Sequence, residues 1–261
     1  MSRVFGHFGE LLQGRIGPEG PVALVTLPCP VLWAEAVIAG SGQFTLYQPV
    51  RVVAPGRLLR VLAALGLRGR GRFRLRLNMP AGGGAGASTA GLIALAQAAG
   101  AQDPAALMRA VFAEERASDP LLFDRPERVL WASRQGAVLA DLPALPRFDI
   151  VGGFCGAGQR TDPDDHDFPD ISDLIQDWPG ADLPRMAELA TESAKRTLAL
   201  RGPADDPTPQ LAHNLGALGF CIAHTGAARG LIFAPGTVPE RAVADLRSGG
   251  FSRITRFRCG G

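Results

Sequence analysis

Alternation of apolar and polar residues is strict in residues 72–78, RFRLRLN, and predicts a strand with one polar face. Residues 3–49 are expected to form short β segments, and within them residues 22–28 and 30–38 are rich in branched and aromatic side chains between Gly and Pro. Further strands are expected over residues 128–133, 136–142, 149–154, 219–224, 230–235 and 253–258. Apolar residues at helical spacing predict helices over residues 51–66, 88–100, 104–117, 184–201, 208–218 and 239–248.

The order of these elements indicates the fold class. After residue 147 the order is β-α-α-β-β-α-β, which does not alternate as in a parallel βαβ protein, so the prediction is α+β. The Pro-rich segment 143–148, PALPRF, is the best candidate for a linker. We therefore expect two domains, residues 1–146 and residues 147–261.

The composition is that of a globular chain with a sizeable core. Of the 261 residues, 46% are hydrophobic and 20% are charged. The formal net charge of +2 offers no basic domain. Five arginines alternate along residues 68–76, and a solvated strand face explains them better than a nucleic-acid site does. No nucleic-acid partner is expected.

Neither a membrane segment nor a disulfide framework is expected. The longest apolar stretch, residues 21–40, is interrupted by two prolines and a glutamate, and the N-terminus has no apolar signal region. The four cysteines are far apart and form no CxxC pair: Cys29, Cys155, Cys221 and Cys259. We expect reduced thiols and a cytoplasmic protein.

The chain contains one lysine, Lys195, and this excludes two classes of phosphate-binding protein. A Walker A loop needs a lysine after its last glycine, and a protein kinase needs one on an early strand. Lys195 lies in a helical stretch with no glycine loop before it. A solvated charge is therefore favoured over a Schiff-base role.

The strongest local motif is Asn78 to Gly91, NMPAGGGAGASTAG, between a predicted strand and a predicted helix. Its glycines allow backbone amides to approach an anion, and a helix that begins near Ser88 directs its positive end to the same place. Ser88 or Thr89 is the expected N-cap, and their hydroxyls are suited to a phosphate or its Mg²⁺. A flexible Gly-rich connection is the alternative.

This segment resembles the phosphate loop of the GHMP kinase superfamily, which includes galactokinase, homoserine kinase and mevalonate kinase. Ala85 stands for the usual Leu of that motif and Ala87 for its first Ser, whereas Ser88 is retained. The superfamily binds ATP without a Walker lysine. The resemblance implies ATP contacts from Pro80, Gly82, Gly83, Gly84, Gly86, Ala87, Ser88 and Thr89.

Two other segments resemble the branch that contains L-threonine kinase of cobalamin and propanediol metabolism. Residues 6–14, GHFGELLQG, look like its opening motif, and residues 216–230, GALGFCIAHTGAARG, look like its third motif. Residues 153–162 keep the outline of a further motif, with Cys155 where an acid is usual. The resemblance implies that the acceptor is bound by Glu10, Gln13, His224, Thr225 and Gly226.

Carboxylates follow the loop in residues 114–124, EERASDPLLFD. Phosphoryl transfer needs Mg²⁺, an acceptor hydroxyl in line and often a carboxylate for its proton. The resemblance implies that Asp119 and Ser88 are catalytic and that Ser88 and Glu115 hold Mg²⁺. The alternatives are a solvated helix end for these acids and a structural role for His224. Residues 162–167, DPDDHD, fit no EF-hand pattern, so a solvated acidic loop is expected there.

The resemblance implies a two-domain fold, with an N-terminal domain like ribosomal protein S5 domain 2 and a ferredoxin-like C-terminal domain. The expected activity is transfer of the ATP γ-phosphate to an alcohol, with L-threonine as the favoured acceptor. Alternatives are a non-catalytic nucleotide-binding homologue and a hydrolase that uses Ser88, Asp119 and His224. The hydrolase is disfavoured because a nucleophile elbow needs a strand that runs directly into its serine. The acceptor and the oligomeric state, a homodimer being one option, stay open.

Overall fold

The computed structural model of the chain describes residues 1–159, 161–223 and 225–261. The strands in this part of the chain are β1 (Ser2–Arg15), β2 (Val22–Ala39), β3 (Thr45–Tyr47), β4 (Arg72–Leu77), β5 (Val129–Ala132), β6 (Ala137–Asp141), β7 (Phe148–Phe154), β8 (Gly219–Ile222), β9 (Ala228–Phe233) and β10 (Ser252–Cys259). The helices are α1 (Pro55–Ala64), α2 (Ala87–Ala98), α3 (Pro104–Glu115), α4 (Ser172–Asp177), α5 (Leu183–Arg201), α6 (Thr208–Leu215) and α7 (Ala242–Ser248).

Eight of the strands form a continuous path through one mixed sheet, in the order β10-β7-β9-β8-β1-β2-β4-β3. Strand β5 pairs with β2 and with β6 at the side of this path. Strand β1 joins the early strands β2, β4 and β3 to the late strands β8, β9, β7 and β10. It pairs along its length with β2 and, at Glu10, with Ile222 of β8. The predicted α+β class is confirmed. Strands that precede residue 147 lie on one side of this β1–β8 junction, and the boundary at residue 146 stays a prediction.

Most predicted elements form within a few residues of their expected bounds, and the main difference lies in β2. The two strands expected over residues 22–28 and 30–38 are one strand. Pro30 is tolerated there because it lies in the register shift between Phe5 and Gly6, and Pro28 pairs with His7 at the edge of the next shift. A proline lacks a backbone donor, and such an irregularity is a place where the ladder does not need one. Helix α4 was not predicted.

The alternation in β4 has the expected result. Phe73 and Leu75 are buried, whereas the arginines that alternate with them, Arg72, Arg74 and Arg76, are exposed. The guanidinium of Arg74 lies 5.7 Å from the ring centre of Tyr47 on this face. Lys195 is also exposed, on α5. None of the helices in the described ranges is both long and apolar enough to cross a membrane.

Aromatic packing fixes the centre of the molecule. Phe8 of β1 is fully buried, and its ring meets those of Phe154 and Phe257 edge-on at 5.5 Å. Edge-to-face pairs of this kind add to the stabilisation from burial. Because Phe8 precedes the predicted boundary and its partners follow it, the first strand is packed into the second half of the chain.

All four cysteines are free thiols, in agreement with the sequence analysis. Burial raises the pKa of Cys29 and of Cys221 to about 12, and it also raises the pKa of Cys259. A thiol reacts as its thiolate, so these three side chains are inert at neutral pH.

A buried ion pair links the start of α6 to β9. The Nε of Arg229 lies 2.9 Å from Oδ2 of Asp206, and both side chains are less than a tenth exposed. Arg229 also donates to the carbonyl oxygens of Gly226 and Ala228. Burial by itself would raise the pKa of Asp206, but hydrogen bonds from Thr208 and the charge of Arg229 hold it below its usual value.

We expect Asp206→Ala to lower the free energy of unfolding by about 3–5 kcal/mol, because it leaves the Arg229 guanidinium buried without its counter-charge. Urea denaturation measures this change. The control is Asp177→Ala, which removes an exposed ion pair with Arg185 and should cost less than about 1 kcal/mol. Equal losses in the two variants would contradict the prediction.

Candidate active site

A cavity of about 410 Å³ lies beside the start of α2. The loop that follows β4 forms one wall, and the end of α3 with the residues after it forms another. Strand β1 also lines it, as do Gln159, Thr161 and Pro163, so both halves of the sequence contribute. The cavity therefore contains most of the residues singled out from the sequence.

The glycine-rich loop is a tightly packed turn. Gly82, Gly84 and Gly86 have φ of 69°, 69° and 70°, a backbone conformation that other residues adopt only at a cost. A Cβ on Gly84 would lie 2.2 Å from the Cβ of Ala223, and one on Gly83 would lie 2.9 Å from a ring atom of Phe154. The loop thus has no space for side chains, and this packing argues against a flexible connection.

Three distant segments hold this loop through its carbonyl groups. The backbone N–H of His7 donates to Ala85 (3.2 Å), that of Gln159 to Gly82 (2.9 Å), and that of Ala228 to Gly83 (2.9 Å). Strand β1, the segment after β7 and strand β9 therefore fix its shape. Because these three carbonyl groups bond to protein donors, other groups of the loop are the ones that can face the cavity.

The first turn of α2 faces the cavity. The N-cap is Gly86, in the left-handed conformation, and no side chain caps the helix. The expectation of Ser88 or Thr89 as N-cap is wrong, because the helix begins at Ala87 and Thr89 Oγ1 donates to a carboxylate instead. Free amides and the positive end of a helix dipole favour an anion at this position.

That carboxylate belongs to Glu115, the last residue of α3. Thr89 Oγ1 donates to Glu115 Oε2 at 2.6 Å, and the Ser88 hydroxyl is near enough to Glu115 to lower its pKa. Arg57 Nη1 lies 3.8 Å from Oε1. Burial raises the pKa of Glu115 to about 7, against the opposing effect of the two hydroxyls. Glu114 also lines the cavity but pairs with Arg60, so the two adjacent acids have different partners.

Asp119 forms an ion pair with a residue that the sequence analysis did not select. His7 Nε2 lies 3.3 Å from Asp119 Oδ2, and His7 Nδ1 lies 3.4 Å from Glu10 Oε1. In a regular strand residues 7 and 10 would face opposite sides. Here the β1–β2 register shifts between them, and Gly9 has a φ of 79°, so both side chains meet Asp119 on one side.

The charges of this pair are mutually stabilised. Burial alone would lower the pKa of His7, but Asp119, Glu10 and the Gly9 carbonyl raise it to about 9. Burial alone would raise the pKa of Asp119, but the charge and hydrogen bond of His7, together with Arg134, hold it below its usual value. At neutral pH the pair is an imidazolium and a carboxylate. An imidazolium cannot bind a metal, although the three side chains are close enough to form a metal site.

The remaining predicted residues are distributed around the cavity and the loop. Gln13 is buried and lines the cavity, as does Thr225, whose hydroxyl lies 3.0 Å from that of Thr161. Gly226 packs on the loop, where a Cβ would lie 2.3 Å from the nitrogen of Gly84. Pro80 accepts a hydrogen bond from Gly83 at the start of the loop. His224 lies outside the described residues.

The cavity is also lined by residues that were not selected from the sequence, among them His7, Arg57, Ser118 and Arg134. His7 and Ser118 carried a usable signal, since each stands in a quoted segment, three residues before Glu10 and one residue before Asp119. Arg57 and Arg134 come from a helix and a turn that no motif marks. They meet the site only through the fold.

The geometry of Ser88 differs from that of a hydrolase nucleophile. Strand β4 ends at Leu77, and the whole glycine loop separates it from Ser88, which lies inside α2. The acid in reach of Ser88 is Glu115, and the histidine paired with Asp119 is His7. A strand–turn–helix elbow is therefore absent here.

No family model and no curated protein matches the chain. Solved structures are similar to it over its whole length. They include L. major mevalonate kinase in complex with R-mevalonate, with 13% identity, 99% of this chain and 96% of that chain covered, and a TM-score of 0.63. A 4-(cytidine 5'-diphospho)-2C-methyl-D-erythritol kinase has 20% identity, coverage of 100% and 97%, and a TM-score of 0.61. The phosphomevalonate kinase of Streptococcus pneumoniae has 14% identity, coverage of 100% and 97%, and a TM-score of 0.60. The chain therefore has the fold of these kinases, as its resemblance to the GHMP superfamily implied.

Proposed function

We propose that this chain is an ATP-dependent small-molecule kinase that transfers the γ-phosphate to an alcohol. The observation that carries the proposal is the set of oxygens formed by Ser88 and Glu115 beside the uncapped start of α2. An anion site and a hard-cation site are thus adjacent, and the Asp119–His7 pair lines the same cavity. Phosphoryl transfer requires these three parts.

The ATP phosphates would bind to the loop and the first turn of α2. Backbone amides there supply donors, and the helix dipole supplies partial positive charge. Neither depends on a lysine, which agrees with the exposed position of Lys195. Arg57, near Glu115, adds a full positive charge on this side of the cavity.

Mg²⁺ fits the donor set at Ser88 and Glu115, because a hydroxyl and a carboxylate are the oxygen ligands that this ion prefers. When bound there, it would neutralise charge on the phosphates. Thr89 would hold Glu115 in position through its 2.6 Å hydrogen bond.

The acceptor hydroxyl would lie against Asp119. As its oxygen forms a bond to the γ-phosphorus and the bond to the bridging oxygen of ADP breaks, the hydroxyl proton passes to the carboxylate. His7 keeps Asp119 ionised and fixes its orientation through the 3.3 Å contact. Glu10 and Gln13 line the same cavity and would contact the acceptor.

L-threonine is our proposed acceptor, with O-phospho-L-threonine for cobalamin side-chain synthesis as the product. The resemblance of residues 6–14 and 216–230 to the L-threonine kinase branch supports this choice. The fold shared with kinases of mevalonate and phosphomevalonate supports a small alcohol acceptor in general.

The activity is tested by release of ADP from Mg-ATP with a panel of threonine, serine, homoserine, mevalonate and sugars. We expect turnover with threonine, and a phosphothreonine product that mass spectrometry identifies. Turnover with another alcohol only would support the kinase activity but reject L-threonine as the acceptor. ATP binding without any turnover would indicate a non-catalytic nucleotide-binding protein, and failure to bind ATP would reject the proposal.

Asp119→Asn should lower kcat by a factor of about 10²–10⁴, the usual contribution of a positioned acid or base. The affinity for ATP should change less than threefold, because Asp119 supplies neither a backbone amide nor a positive charge to the phosphates. Steady-state kinetics and calorimetric titration with ATP measure the two effects. Asp124→Asn, a change at an exposed acid of the same segment, is the control and should retain kcat. An unchanged kcat in Asp119→Asn would exclude the catalytic role.

Protonation of His7 should make stability depend on pH. Its folded pKa of about 9 exceeds the ordinary value of 6.5, so its contribution is complete below pH 6.5 and is lost as the pH rises through 9. The free energy of unfolding should fall by at most about 3 kcal/mol across this window. Denaturant titrations at several pH values measure it. His7→Gln should show a flatter profile, and an equal slope in both proteins would contradict the assignment.

A further inference from the structure

Arg134 is a cavity residue to which the proposed mechanism gives no role. It follows β5 in the turn before β6 and is partly buried. Its Nη1 donates to Ser133 Oγ at 2.9 Å, and its Nη2 donates to the carbonyls of Asp162 and Asp165 at 3.3 and 3.4 Å. Its guanidinium also lies 5.1 Å from the ring centre of Phe168. These contacts hold the side chain in one orientation.

The charge of Arg134 lacks a close counter-charge. Within the described ranges, no carboxylate oxygen lies within 4 Å of its guanidinium nitrogens, whereas Arg201 and Arg229 each have one. Asp165 and Asp119 attract it from farther away, but Asp165 pairs with Arg201 and Asp119 pairs with His7. A partly buried cation in this situation is a site for an anion that comes from outside the chain.

A second polar group points to a ligand in the same wall. Ser118 Oγ is buried and has no hydrogen-bond partner in the part of the chain that is described. Ser118 lines the cavity, and its backbone N–H donates to the carbonyl of Ser133, the residue next to Arg134. A buried hydroxyl without a partner is costly, and an oxygen of a ligand would satisfy it.

The anion has two available sources, a phosphate of ATP and a carboxylate of the acceptor. Arg57 lies beside Glu115 and the loop, on the phosphate side. Arg134 instead bonds to Ser133, whose carbonyl accepts from the backbone N–H of Ser118, the residue before Asp119. Its position thus favours the acceptor.

We propose that Arg134 binds the carboxylate of the acceptor, with Ser118 as a second donor, so that the substrate class is a hydroxy acid or hydroxy amino acid. This inference rests on the proposed kinase function and narrows it. A carboxylate held by Arg134 would orient the acceptor with its hydroxyl toward Asp119. Sugars and simple alcohols have no group for this site.

The test compares L-threonine with 1-amino-2-propanol, which keeps the hydroxyl and the amine but has no carboxylate. Arg134→Gln should lower kcat/KM for threonine by about 10- to 100-fold, the usual effect of removing a hydrogen bond to a charged group. For 1-amino-2-propanol the change should be less than threefold, and the KM for ATP should not change. Arg134→Lys keeps the charge without the planar fork and should give an intermediate loss for threonine.

Arg201→Gln is the matched control. Arg201 also bonds to Asp165 and lies 4.4 Å from the ring centre of Phe168, but it does not line the cavity. It should leave the ratio of the two kcat/KM values unchanged. Equal losses for both acceptors in Arg134→Gln would indicate a structural role and overturn the proposal, and so would a higher KM for ATP with unchanged acceptor selectivity.

Equilibrium binding separates this inference from the kinase function. Calorimetry with a non-hydrolysable ATP analogue present should detect L-threonine binding to the wild-type chain and at least a tenfold weaker affinity in Arg134→Gln. If the chain binds threonine in this Arg134-dependent manner without turnover, the carboxylate site stands and the kinase proposal fails. If turnover occurs and affinity for threonine does not depend on Arg134, the kinase stands and the carboxylate site is rejected.

Discussion

Close packing of the glycine loop against three other segments is the constraint on which the site depends. The loop carbonyls of Gly82, Gly83 and Ala85 accept hydrogen bonds from backbone groups that lie far apart in the sequence. Because no side chain fits between the loop and these segments, the start of α2 has one position relative to β1 and β9. That position brings Ser88 and Thr89 to the end of α3. The loop therefore organises the site in two ways: it fixes α2 relative to β1 and β9, and its backbone amides are available to a ligand.

A second organising feature is the irregular pairing of β1. The register shift and the left-handed Gly9 bring His7 and Glu10 to the same side of the strand. For the other member of the His7–Asp119 pair, Trp131 fixes the chain near Asp119, because its buried indole N–H donates to the Ser118 carbonyl at 2.7 Å. Burial then makes each charge depend on its partner, since either group alone would be driven toward its neutral form.

Local patterns predicted the fold well where one face of an element decided its structure. The alternation in β4 and the glycines before α2 are of this kind, and both predictions agree with the structure. The predicted N-cap of α2 was wrong because the helix begins at Ala87, and Thr89 Oγ1 bonds to Glu115, which is distant in sequence. Arg134 could not have been found from its neighbours, since its lack of a counter-charge depends on where Arg201 and His7 lie. Sequence predicts elements and motifs, whereas charge balance in a cavity depends on the whole fold.

The fixed shape of the loop has a consequence for the thermodynamics of ligand binding. Flexible phosphate-binding segments lose conformational entropy when the ligand orders them, and this loss weakens the affinity. Here the backbone around Gly84 is already confined by Ala223 and Gly226 in the folded chain. The entropy loss thus occurs during folding. Association with a polyanion should accordingly show little ordering of the main chain, and most of its temperature dependence should come from the release of water and ions.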